Sequence, residues 1–68
     1  MTRLKAEREK RGLSRAALAR AASVGEGIYG QIENRRRVPY DPEIERIAAA
    51  LEWRGDPRRL LEDAPQDD

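Results

Sequence analysis

At 68 residues, 38% apolar and 40% charged, this chain has room for one small domain with a modest core. It holds neither Cys nor His, which excludes a disulfide framework, a zinc finger and a Cys or His nucleophile. The net charge is only +1, yet residues 1–37 carry ten Lys/Arg against four Asp/Glu, while residues 38–68 carry four against nine. A basic front and an acidic back point to a polyanion on one side, or to a solvated surface laced with salt bridges. No apolar run approaches the roughly 18 residues of a membrane span. The opening MTRLKAEREK lacks the apolar middle of a signal peptide. The expectation is a cytoplasmic chain with no membrane partner.

Residues 3–11 favour a helix, supported by Lys5–Glu9 and Glu7–Arg11 at a spacing of four. Gly12 is a natural stop. Ser14 is a good N-cap for a helix through Ala22, whose Leu18, Ala19 and Ala22 share one face. Ser23 and Val24 make the turn, and a third helix runs from about Gly25 to Asn34 with Tyr29 and Ile32 inward and Ile28 at the edge. Arg35-Arg36-Arg37 opens a basic loop. Asp41-Pro42 reads as an N-cap followed by a first-turn proline, and Ile44, Ile47, Ala48 and Leu51 follow at helical spacing. Gly55 breaks the chain and Asp56-Pro57 starts a last short helix carrying Leu60 and Leu61. No strand pattern occurs. The expected fold is all-α, a compact domain of four to five helices over residues 1–63, with residues 64–68 an acidic fraying tail.

The run Leu13-Ser14-Arg15-Ala16-Ala17-Leu18-Ala19-Arg20-Ala21-Ala22-Ser23-Val24, continued by Tyr29, Ile32-Glu33, Pro39, Ile44, Ile47-Ala48 and Ala50-Leu51, resembles the helix-turn-helix of the Cro/C1-type, XRE-like family of phage-repressor-like DNA-binding domains. The resemblance covers about residues 4–62. It implies helices of about 14–22 and 25–34, the second lying in the major groove of double-stranded DNA, in a transcriptional regulator bound to the nucleoid. It also implies an ion pair between Arg8 and Glu33 that sets the angle of the reading helix; the alternative is two unrelated surface charges. The chain departs from the family pattern at Arg15, where Gln is common, at Ser23, where Gly is usual, at Glu7, where a core Leu is usual, and at Arg35, where Gly is frequent. Asn34 is expected to take over the turn at that last position.

Ser14, Arg15, Gly25, Glu26, Gly27, Gly30, Gln31, Asn34, Arg35, Arg36 and Arg37 are the candidate DNA-binding residues. Gln31 and Asn34 suit adenine, Glu26 suits cytosine, and Arg15 suits a phosphate or a guanine. The three arginines would hold the phosphate backbone without reading sequence. Tyr40 either adds a phosphate contact or packs on Pro39 and Pro42. The glycines weaken the reading helix by roughly 1 kcal/mol each. They imply close approach of a partner, ordering on binding, or a face that has lost sequence reading. The rival readings are therefore a protein–protein interaction module and a non-specific DNA-binding protein. A homodimer through Leu60, Leu61 and Trp53 is one use of the last helix; closing the core is the other. No metal, cofactor or catalytic residue is expected, because the carboxylates sit beside Lys/Arg as surface pairs and GEGIYG lacks the strand and the GK[ST] of a phosphate loop.

Overall fold

A computed structural model describes residues 1–64. Four helices, α1 (Arg3–Lys10), α2 (Arg15–Ala21), α3 (Glu26–Glu33) and α4 (Asp41–Ala50), are followed by a 3-10 helix, Pro57–Leu61. No strand occurs among the described residues; a single antiparallel bridge joins Thr2 to Asp63. The core is one cluster of Leu4, Leu18, Ala19, Ala22, Val24, Tyr29, Ile32, Ile44, Ile47, Ala48, Leu51 and Leu60. Every helix thus contributes its apolar face to the same centre, with Trp53 and Leu61 packed against it. Ala19 and Ala22 are almost fully buried, and small side chains there let α2 lie close to α3 and α4.

The four helices end in one way. The residues after the C-caps, Gly12, Ser23, Arg35 and Glu52, all adopt positive φ between 56° and 69°. The next N–H reaches back to the last turn, as Leu13 to Arg8, Val24 to Ala19, Arg36 to Gln31 and Trp53 to Ala48. This is the Schellman arrangement, which satisfies the orphan carbonyls of a helix end. Its final residue is apolar after α1, α2 and α4, where Leu13, Val24 and Trp53 turn onto the core. After α3 that residue is Arg36, which stays exposed. Only Gly12 takes the left-handed conformation without a side-chain penalty; a residue with Cβ there costs roughly 1–2 kcal/mol.

Several expectations change. The left-handed residue after α3 is Arg35 and not Asn34, whose φ is −94°. Asn34 is the C-cap, so the turn falls one residue later. The N-cap of α4 is Tyr40 and not Asp41, which already belongs to the helix. Glu43 accepts the Tyr40 N–H, and the Asp41 carboxylate is left to receive Arg58. The chain leaves α4 at the left-handed Glu52, after the buried Leu51, and Trp53 then returns to the core. Thr2, not anticipated as a cap, accepts the Lys5 N–H and donates its own hydroxyl proton to the Glu33 carbonyl. Ala64, the first residue of the expected tail, donates its N–H to the Met1 carbonyl at 2.9 Å. The rest of that tail, residues 65–68, lies outside the described residues.

Candidate nucleic-acid interface

Ser14 starts α2, its hydroxyl accepting the Ala17 N–H, and Arg15 is therefore the first residue of that helix. A cation in a first turn opposes the helix dipole, so Arg15 is placed where an anion would be favoured. Gly25 starts α3 without a side-chain cap. Apolar residues on the inner side of α3 bury Tyr29 and Ile32 completely, which leaves Glu26, Gly27, Gly30, Gln31 and Asn34 along the outer side.

These outer residues, together with Arg15 and Arg36, line one shallow concavity of about 510 Å³. Seven of the candidate residues thus meet on one face: two arginines, two amides, two glycines and one carboxylate. A Cβ added at Gly27 or Gly30 would meet no atom within 4 Å, so neither glycine is required by packing inside the chain. Ser14 and Gly25 act instead as helix starts.

The arginine triplet is split by the turn at Arg35. Arg36 joins the concavity. Arg35 points away from it and bonds the Asp63 carboxylate and the Leu61 carbonyl. Its guanidinium holds the Asp63 carboxyl below the usual carboxylate range. Arg37 lies partly buried, its guanidinium 3.9 Å from Glu43 and 5.6 Å from the centre of the Tyr40 ring. The three arginines thus stand in three different surroundings, because the left-handed residue sends successive side chains in different directions. Tyr40 is mostly exposed and carries Arg37 over its face.

Behind the concavity lies a buried polar cluster. The Arg8 Nε–H donates to Glu33 Oε1 at 2.7 Å, and the Tyr29 hydroxyl donates to the same oxygen at 2.9 Å. Arg8 Nη1 donates to the Leu13 carbonyl, just ahead of the Ser14 cap. The pair is therefore a buried ion pair and not two surface charges. The Glu33 hydrogen bond raises the Arg8 pKa, and burial first, then the Glu33 charge, raises that of Tyr29 above its ordinary value. Tyr29 had been expected only as a core residue. Its hydroxyl lies one helical turn from Glu33, a spacing visible in the sequence but silent about which group the ring would meet. Arg46, which donates to the Ala22 carbonyl and so ties α4 to the end of α2, gave no such signal.

Leu60 is fully buried in the core of its own chain and is therefore not available to a second copy. Leu61 is half-buried and shares a groove with Ile32, Val38 and Pro39. Among the described residues no group of three or more acidic, His or Cys side chains is placed to hold a metal. None of the described helices is long and apolar enough to cross a membrane.

An all-helical domain in which α2 and α3 pack together across a short turn, with the outer side of α3 exposed, defines a helix-turn-helix protein. A family model described as a helix-turn-helix domain matches residues 2–61, and the chain belongs to that family. The match agrees with the Cro/C1-type resemblance and carries with it DNA binding as the general activity. No curated protein and no solved structure matches the chain.

Proposed function

We propose that this chain is a small, sequence-specific, DNA-binding transcriptional regulator of Cro/C1 type, working in the cytoplasm on the nucleoid and without catalysis. The observation that carries the reading is the common face formed by Arg15, Gln31, Asn34 and Arg36 along the outer side of α3. In this reading α3 lies in the major groove, Gln31 and Asn34 read adenine edges, Glu26 accepts from cytosine, and Arg15 and Arg36 grip the flanking phosphates. Gly27 and Gly30 let the helix backbone come close to the bases. Arg35 and Arg37 serve the domain's own loop more than the phosphates.

A domain of this size covers few base pairs, so useful specificity calls for a second copy or a partner. A two-fold pair would set half-sites roughly 34 Å apart. With Leu60 committed to the core, its contact would fall on Leu61 and the exposed Val38.

One observation favours a second reading. Only two side chains on the α3 face are amide readers, and Ile28 is exposed at its edge. A protein–protein interaction module, or a non-specific DNA binder, would need no more. Selection of bound sequences from random duplex DNA at near-physiological salt separates the three. The regulator yields a consensus, the non-specific binder yields none while still binding, and the interaction module does not bind duplex even at low salt. With affinity for one duplex measured over a range of salt, Arg36→Ala flattens the salt dependence by about one unit of slope. An unchanged slope removes Arg36 from the phosphate contacts.

A further inference from the structure

Glu33 sits beneath the α3 face with its side chain only 1% exposed, and three groups converge on it. Oε1 accepts from Arg8 and from Tyr29. Oε2 faces Arg15, whose Nε lies 3.7 Å away while its side chain is 56% exposed and lines the concavity. The buried carboxylate therefore serves two guanidinium groups. One is buried and holds α1, the turn at Leu13 and α3 together. The other is exposed and stands at the candidate interface.

The geometry points to Glu33 as a positioning residue for Arg15. Nε is the inner nitrogen of the guanidinium. At 3.7 Å the carboxylate attracts this nitrogen as an ion pair without a hydrogen bond, which draws the guanidinium toward α3 and leaves the two terminal amino groups for a ligand. A fork held this way suits two oxygens of one anion, the geometry in which Arg surpasses Lys. The ligand group is a phosphate of the DNA backbone. Because Glu33 is also tied to Tyr29 and Arg8, the same contact sets Arg15 in register with Gln31 and Asn34 on α3. Lys at position 15 would keep the charge, but its single ammonium could engage either the carboxylate or the phosphate.

This inference rests on the DNA reading above. It is tested by the affinity of wild type, Arg15→Ala, Glu33→Gln and the double variant for one mixed-sequence duplex over a range of salt, with a thermal midpoint for each. The expected result is a loss of about tenfold for each single variant and no further loss in the double, a coupling of the size found between groups in contact. Additive losses would mean that Glu33 acts only through the fold, and would overturn the inference. Arg15→Lys supplies a second arm that leaves the buried cluster intact. It should keep the wild-type salt slope yet fall severalfold below wild-type affinity, between wild type and Arg15→Ala. If Lys restores wild-type affinity, no positioned fork is needed and the inference fails, whether or not Glu33→Gln folds. Absence of duplex binding by wild type at low salt overturns the DNA reading and this inference together; binding without coupling overturns the inference alone.

Discussion

Alanine at Gly27 and Gly30 separates what the free chain needs from what its partner needs. Both residues lie inside α3, and a Cβ at either would meet nothing within 4 Å. Glycine in a helix interior is less favourable than alanine by about 0.8–1.0 kcal/mol. No clash offsets that gain here, so the double variant should be more stable by roughly 1.5–2 kcal/mol. For a domain of this size about 1 kcal/mol moves the midpoint by about 4–8 °C, and the pair should raise it by roughly 6–16 °C. Far-ultraviolet circular dichroism during heating measures this directly. An unchanged or lowered midpoint would refute the reasoning, since it would mean that α3 is not regular helix at these positions or that something packs over them. Duplex affinity of the same variant gives the other half. A loss of binding in a more stable protein places the glycine face against DNA, and unchanged binding removes it from the contact.

Arg8→Met would leave Glu33 buried without its main counter-charge and should cost about 3–5 kcal/mol, enough to unfold much of a small domain, as chemical denaturation would report. Ser23→Gly relieves a left-handed residue at φ 57° and should stabilise the α2–α3 turn by up to about 1 kcal/mol, with a higher denaturation midpoint as the readout. The Asp63 carboxyl is depressed by Arg35, so its contribution to stability is present above the unfolded carboxylate pKa and disappears as pH falls through the lower folded value. Asp63→Asn should remove that acid-side dependence while leaving the neutral-pH fold intact, which a pH series of thermal midpoints would show.

Helix order and the inward face of each helix were legible in the sequence because they depend on local rules. Ser14 caps α2, Asp56-Pro57 starts the last turn, and the spacing of Leu18, Ile32, Ile44 and Ile47 marks the buried side whatever the helices pack against. The candidate site was legible in part for the same reason, since Gln31 and Asn34 must share the side of α3 opposite Tyr29 and Ile32. What the arginines do was not legible. Arg35, Arg36 and Arg37 are identical in type and adjacent in sequence, and only the left-handed turn at Arg35 sends them to three different surroundings.

The sequence by itself determined a small all-helical domain, the α2–turn–α3 pair and a basic half, because caps, periodicity and charge are properties of neighbouring residues. The tertiary structure alone decided that Asn34 would cap α3 while Arg35 turned, that Leu60 would be spent on the core, and that Tyr29 and Arg15 would join the Arg8–Glu33 pair. Those outcomes depend on where α1, α2 and α3 cross, and groups as far apart in the chain as Arg8 and Glu33 come within 2.7 Å only once the core has closed.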